Sequence, residues 1–502
     1  MAAAVDLHSH TTASDGTLPP RELVRLAARH GVRVLAVTDH DSTGGVREAI
    51  DEARSLTSIE VVPGLEINCD VPGAEIHVLG YCVDWEAPWF QEFLAAQREE
   101  RRQRIYRIAA RLAELGMPIE PDAVFALVKE GSAGRPHVAQ VMVDRVRWPD
   151  EVPDAAWRYG TSVDYMRELV EYWRTRYDWR AHEARLNRLR QFTVEIDGID
   201  LHFIHEPGVG PAPMPLLLSH GWPGSIVEFE RMLPMLTDPA RFGGDPADAF
   251  TVVAPSLPGY GFSFRPNQRR FAVEEIADTF ARLMTDVLGY RRFAAQGGDW
   301  GAFVTSRLGL SYPERVAGIH LNLLAVRRDP ALPDKPNAEE QAYIKQLQHW
   351  QREETGYQWI QGTKPQTLAF GLTDSPVGLA AWIVEKFRTW SDCGGAVEPT
   401  FSKDTLLTNV MLYWITGAIN SSFWPYYARF HRPWPLPDGT RIAVPTAYAA
   451  FPREILLPPR AWAERSYNIQ RWTTMPAGGH FAALEQPDAL AADIRAFFRP
   501  LR

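Results

Sequence analysis

The chain has 502 residues, 45% of them hydrophobic, with a formal charge of −9 and a sequence pI near 5.9. This length and apolar content suit two to four domains or one large decorated one and exclude a disordered chain, and the acidic balance excludes a surface dominated by nucleic-acid binding. Cys69, Cys82 and Cys393 show no CxxC spacing, which excludes a disulfide framework or a thiolate zinc site and suits a reducing compartment.

The opening MAAAVDLHSH has no basic flank ahead of an apolar core. Since no later run approaches eighteen uninterrupted apolar residues, the expectation is a cytoplasmic chain without a membrane anchor. Short β-type runs at 5–7, 32–38, 59–63 and 75–81 alternate with helical patterns such as PPRELVRLAARHG, which reads as βα units of a parallel sheet. His8 and His10, two apart on an extended segment, point the same way. Asp15 follows on a loop, Asp39 and His40 lie beyond the second strand run, Glu66 beyond the third, and His77 in the fourth. A mixed set of imidazoles and carboxylates suits Zn, Mn or Fe, and a carboxylate shared between metals suits phosphoester hydrolysis.

The segments DLHSHTTASDGTL, TDHD, PGLEI and EIHVLGY resemble the PHP (polymerase and histidinol phosphatase) metal-dependent phosphoesterases. The resemblance implies a (β/α) barrel with His8, His10, Asp15, His40, Glu66 and His77 as metal ligands and Glu66 as the bridge. GRPHVA at 134–139 resembles a helical insertion of that family, but no His-Pro dipeptide and no S-D-x-H pair follows. The barrel is therefore expected to be partial, over residues 1–145.

From Arg147 the texture becomes rich in Trp and Pro. Val138, Val141, Met142 and Val146 form one apolar stripe just before that change, which predicts a helix that completes the second region. An amphipathic helical pair in MRELVEYWRTRYDWRAHEARLNRLRQF precedes strand signals in FTVEIDG, LHFIHE, PLLLSHGWPG and FTVVAPSLPGYGFS. In RRFAAQGGDWGAFVTSRLGL a strand meets a helix across GGDWG, with Gly297 and Gly301 flanking Asp299. This is the small-x-nucleophile-x-small elbow, and an Asp there is a carboxylate nucleophile. HGWPG at 220–224 follows a strand as an oxyanion loop does, so the backbone N–H groups of Trp222 and Trp300 are the expected donors. Glu454 and His480 follow in the order nucleophile, acid, histidine.

Residues 325–435 read as a helical cap. HGWPGS, PSLPGYGFS, QGGDWG, GYQWIQGTKPQT, DSPVGLAAWIVEKFRTW, LLTNVMLYW and GGHFAALEQP are similar to the microsomal-type epoxide hydrolases over about residues 147–500. That resemblance implies an α/β-hydrolase fold with residues 146–210 as the family's N-terminal segment, a core split between 211–324 and 436–502, and the cap between. It implies Asp299, Glu454 and His480 as a triad that opens epoxides through an ester and yields vicinal diols, for detoxification or aromatic-hydrocarbon catabolism. Tyr357 and Tyr426 would polarise the epoxide oxygen, with Tyr427 adjacent to the second position. The expected partners are a small apolar epoxide and water, with no cofactor for this half, a divalent metal for the first, and room for a homo-oligomer. The alternatives are a metal-dependent phosphoesterase in the N-terminal region and another Asp-nucleophile hydrolase, such as a haloalkane dehalogenase using Trp222 and Trp300 as halide donors.

Overall fold

A computed structural model describes all residues except 1–4, 15, 72–73, 115–118, 129–132, 134–136, 139–140, 142–156, 326–334, 399, 433–435 and 438. The chain divides into two compact units, Met1–Trp148 and Pro149–Arg502. The expected junction at 145–146 lies outside the described residues.

The first unit holds a four-stranded sheet in the order β1 (Val5–Asp6), β2 (Val34–Val37), β3 (Glu60–Val71), β4 (Ala74–Tyr81). The first three strands run parallel, and β4 runs antiparallel to β3. The expectation of a fully parallel sheet is corrected here. Only two residues separate β3 from β4, enough for a hairpin, whereas a parallel neighbour needs a crossover of a dozen or more. β3 also runs past Pro63, so Glu66 stands within the strand rather than beyond it. Helices Pro20–Arg29 and Val46–Leu56 bury Val24, Ala27, Ala49 and Ala53 against Leu35 and Val37. A separate helical cluster joins Ile105, Ala109, Ile119 and Val124 to Val138 and Val141. The front half of the apolar stripe before the texture change is thus buried in the first unit's own core. Met142 and Val146 lie outside the described residues.

The second unit is built on an eight-stranded sheet. Its strands are β5 (Gln191–Ile196), β6 (Ile199–Glu206), β7 (Met214–Ser219), β8 (Phe250–Pro255), β9 (Phe293–Gly297), β10 (Val316–Leu321), β11 (Ile442–Ala450) and β12 (Tyr467–Thr474). The spatial order is β12-β11-β10-β9-β7-β8-β6-β5, parallel from β12 through β8 and antiparallel at β6 and β5. Central strands such as β9 and β10 are buried throughout, as near-continuous apolar runs covered on both faces must be. Leu216, Leu218, Val252, Ala254 and Ala294 face Leu233, Ile494 and Phe498; each fully buried Leu, Val, Ile or Phe side chain contributes about 2 kcal/mol.

The chain leaves β7 toward β8 on one side and returns through β9 on the other. That reversal opens a crevice at the carboxyl ends of the strands, where α/β sheets bind ligands. Between β10 and β11 come the helices Ala338–Glu353, Gly356–Thr363, Pro365–Asp374, Pro376–Thr389, Lys403–Thr416 and Trp424–His431. Among the described residues no single helix is long and apolar enough to cross a membrane.

Candidate active site

β9 ends at Gly297 and a helix, Asp299–Ser311, starts two residues later. A reversal this sharp forces Asp299 to φ 44°, a left-handed conformation that costs a non-glycine residue about 1–2 kcal/mol. Its flanks tolerate no side chain. A Cβ on Gly301 would stand 1.9 Å from the Ser219 carbonyl oxygen, and one on Gly297 would stand 2.2 Å from that of Gly301. The Asp299 carboxylate is therefore held at the positive end of a helix.

β7 and β9 are in register, Ser219 beside Gly297, so the loop after β7 falls next to the elbow. Trp222 N–H donates to Asp299 Oδ1 at 2.7 Å. A Cβ on Gly221 would lie 2.2 Å from the same oxygen, which accounts for the glycine there. The Trp300 N–H belongs to the first turn of the Asp299–Ser311 helix, where amides have no intrahelical acceptor. His220 Nε2 accepts the Leu257 N–H at 3.1 Å. Burial pushes this imidazole down to about 4, so it is neutral, as an accepting ring nitrogen must be.

The loop is also clamped from the helical segment. Asn409 Nδ2 donates to the Pro223 carbonyl at 2.7 Å, Ser225 Oγ donates to Asn409 Oδ1 at 2.7 Å, and Tyr413 Oη donates to the Gly224 carbonyl at 2.6 Å. Sequence reasoning missed Asn409 and Tyr413 as site residues. Their i, i+4 spacing within LLTNVMLYW puts both on one helix face and was the only local signal.

Glu454 follows β11 and His480 follows β12. Their loops are tied by Arg453 N–H donating to the Gly478 carbonyl at 3.0 Å. His480 Nδ1 lies 2.7 Å from Glu454 Oε1, which also accepts the Ile455 N–H at 2.7 Å. His480 Nε2 lies 3.3 Å from Asp299 Oδ2. Burial alone would depress the imidazole pKa, but the Glu454 and Asp299 carboxylates outweigh it and hold His480 well above its ordinary value. The two Asp299 oxygens are thus divided, Oδ1 on a backbone amide and Oδ2 toward the histidine.

Tyr357, on helix Gly356–Thr363, and Tyr426, on helix Trp424–His431, are both buried, with ring centroids 5.7 Å apart. Trp222 stacks on Tyr357 at 5.4 Å, and Trp300 meets Tyr426 edge-on at 4.8 Å. Gln358 Nε2 donates to Tyr357 Oη at 2.9 Å. Burial, then Tyr357 and Asp299, raise the Tyr426 phenol well above its ordinary value and keep it a donor. Tyr427 instead stacks on His431 at 4.0 Å.

In the first unit, His8, His10, His40 and His77 converge on the buried Glu66 of β3. His8 Nε2 and His10 Nε2 lie 2.8 and 3.1 Å from Glu66 Oε2 and 3.1 Å from each other; His40 Nδ1 lies 3.8 Å from Oε2, and His77 Nδ1 contacts Oε1. Asp39 accepts from Thr11 N–H, Thr11 Oγ1 and Ser14 Oγ at 2.7, 2.7 and 2.6 Å, which pins the His8–His10 loop without joining the cluster. Asp15 lies outside the described residues. Converging imidazole nitrogens around one two-sided carboxylate are the donor set of a divalent metal, so these residues fit one.

The PHP domain family matches residues 6–130, the epoxide hydrolase N terminus family residues 137–229 and the alpha/beta hydrolase fold family residues 214–381. Epoxide hydrolase 1 of Oryctolagus cuniculus is 38% identical over 71% of this chain and 84% of its own length. Among solved structures, the juvenile hormone epoxide hydrolase of the silkworm Bombyx mori is 30% identical at TM-score 0.67, covering 74% of this chain and 93% of that one. The Aspergillus niger epoxide hydrolase is 32% identical at TM-score 0.63, covering 72% and 92%. On these similarities the chain belongs to the epoxide hydrolase family.

Proposed function

We propose that the chain hydrolyses small apolar epoxides to vicinal diols through an ester on Asp299. The observation that carries this reading is the division of the Asp299 oxygens, one on the Trp222 amide and one toward His480, below two buried tyrosines. Asp299 Oδ2 attacks the less hindered epoxide carbon and the C–O bond of the ring breaks. Tyr357 and Tyr426 donate to the oxygen, whose charge would otherwise develop unpaired in an apolar pocket. Ester formation removes the Asp299 charge, one of the causes that hold the His480 pKa up, so the imidazole becomes a competent base for the second step. Oriented by Glu454, it takes a proton from water as the oxygen attacks Cγ of Asp299. Trp222 and Trp300 amides hold the oxyanion, and His480 returns the proton to the departing alkoxide.

The reaction consumes epoxide and water and calls for no cofactor. A cytoplasmic enzyme fits the three separate free thiols. Styrene oxide turnover tests the reading. H480Q should form the ester, seen by intact mass, and not release it, whereas D299A should form none. Single turnover in isotope-labelled water should place the label in the Asp299 peptide before the diol. Label appearing first in the diol would overturn the mechanism.

A second reading rests on the first unit's cluster, as a metal-dependent phosphoesterase centre. His8, His10, His40, Glu66 and His77 would hold divalent metal, which when bound supplies Lewis-acid polarisation of a phosphoryl oxygen. Metal content of the full chain tests it: E66A should lose the metal that the parent chain retains after gel filtration. Equal content in the two would overturn it, and metal-dependent hydrolysis of p-nitrophenyl phosphate reports activity separately.

A further inference from the structure

A cavity of about 20 Å³ adjoins Asp299 and His480 and is lined by neither cap tyrosine. That is room for one water, which needs two to four polar partners to stay in an interior. The walls provide them: Ser219 Oγ and His480 Nε2 are buried and without an aligned hydrogen-bond partner, and Glu228 lines the same cavity.

Glu228 is placed by the same loop that serves the nucleophile. Its Oε1 lies so close to Gly224 that a Cβ there would fall 1.5 Å away. The two glycines of HGWPG therefore accommodate two carboxyl groups, Gly221 for Asp299 and Gly224 for Glu228. The Ser225 N–H donates to the Glu228 carboxyl, and Ser225 Oγ accepts the Val227 N–H at 3.3 Å, so Glu228 also completes a cap for the short helix Ile226–Phe229. A cap alone does not require an acid on the wall of a catalytic cavity. Burial, only partly offset by His480 and reinforced by Asp299, pushes the carboxyl up to about 8. At neutral pH it is thus an uncharged acid that can both donate and accept.

We propose that this cavity seats the water that hydrolyses the Asp299 ester, and that Glu228 is the positioning residue that, with His480, aims it at Cγ. The inference rests on the epoxide-hydrolase reading above. One O–H proton of the water passes to His480 Nε2 while its oxygen bonds to Cγ. The ester C–O bond then breaks, the alkoxide takes that proton from His480, and Asp299 keeps the water's oxygen; the second water proton, left on the Asp299 carboxyl, replaces the one that the first-formed alkoxide took from the cap tyrosines. Glu228 gains and loses no proton in the cycle. It holds the water by a hydrogen bond.

Single-turnover kinetics of the full chain with styrene oxide, followed by quenched flow and intact mass, separate ester formation from ester hydrolysis. Misplacing the attacking water should slow hydrolysis on the order of 100-fold, so E228L should accumulate ester while forming it within about threefold of the parent rate. E228Q, which keeps size, cap and hydrogen bonding, should recover most of the hydrolysis. Parallel slowing of both half-reactions in E228L, or hydrolysis at the parent rate, would overturn the proposal. Failure of the parent chain to form an ester would overturn the underlying reading as well, so the two failures are distinguishable.

Discussion

Asn409 offers a direct test of how the oxyanion loop is held. Asn409→Leu keeps the volume but leaves the Pro223 carbonyl and the Ser225 hydroxyl without the partners now at 2.7 Å, in a position only 2% exposed. Each buried group left unpaired costs about 1–3 kcal/mol, so for the two together a stability loss of roughly 2–6 kcal/mol is expected in urea unfolding of the second unit. Catalysis should fall too, because Pro223 and Gly224 directly follow the Trp222 amide that donates to Asp299 Oδ1. Complete loss of an oxyanion donor costs about 100- to 1,000-fold in kcat. A loosened but present donor should cost about 10- to 100-fold. Asn409→Asp separates the two bonds, since it keeps the acceptor for Ser225 while turning an oxygen toward the Pro223 carbonyl. Parent kcat in Asn409→Leu, with the stability loss present, would refute the clamp and leave β7–β9 register as what holds the loop. No stability loss would refute the hydrogen-bond accounting itself.

The cap tyrosines should act only in the first half-reaction: Tyr357→Phe and Tyr426→Phe each slow ester formation about 10- to 100-fold with hydrolysis of the ester unchanged, each donor being one part of a general-acid effect. Tyr427→Phe, by contrast, should leave ester formation at the parent rate, since that ring stacks on His431. Stability should also fall on acidification. Burial lowers His202 and His220 from 6.5 to about 4, so between these pH values the unfolded chain takes up protons that the folded chain refuses. The loss grows as pH falls through that window and reaches about 3 kcal/mol per histidine. His202→Gln should flatten the pH dependence of the urea midpoint between pH 6.5 and 4.5, and an unchanged slope would contradict the assignment.

The parts of the site that the sequence makes legible are those written as strand–turn–helix words. GGDWG and HGWPG carry their own geometric reasons, because the glycines at 221, 297 and 301 each stand where a Cβ would overlap a neighbour. Glu454 and His480 are legible through their order after successive strands. What stayed hidden depends on pairings between distant segments. Asn409 and Tyr413 sit on a helix crowded with aliphatic residues, and nothing local tells that they reach the loop at 223–225. Glu228 reads as an ordinary S-x-x-E cap until Gly224 and the cavity are seen together. In the first unit, the periodicity of EIHVLGY gives a strand but no direction. Direction came from the two-residue connection to β3, which admits only an antiparallel neighbour, and it sets His77 one diagonal step from Glu66 on the sheet.

The stripe at Val138, Val141, Met142 and Val146 tests how far a periodic pattern can assign a segment to a core. Period alone fits two destinations, the first unit's helical cluster or the second unit that begins a few residues later. Burial decides for the two described members: Val138 and Val141 are 6% and 5% exposed, packed with Ile105, Ala109 and Val124. The epoxide hydrolase N terminus family nevertheless matches from residue 137, so sequence similarity and packing divide this segment differently. Packing sets the energetics. Val138→Ala with Val141→Ala removes two buried methyl groups at each position, a loss of about 1–3 kcal/mol per site including the space left behind. The double variant of the full chain should be cut earlier by limited proteolysis within residues 1–148 while turning over styrene oxide at the parent rate. A hydrolase unfolding midpoint that falls with the first unit's protection would show that the segment supports the second core instead, and that its burial beside Ile105 is not what the stripe is for.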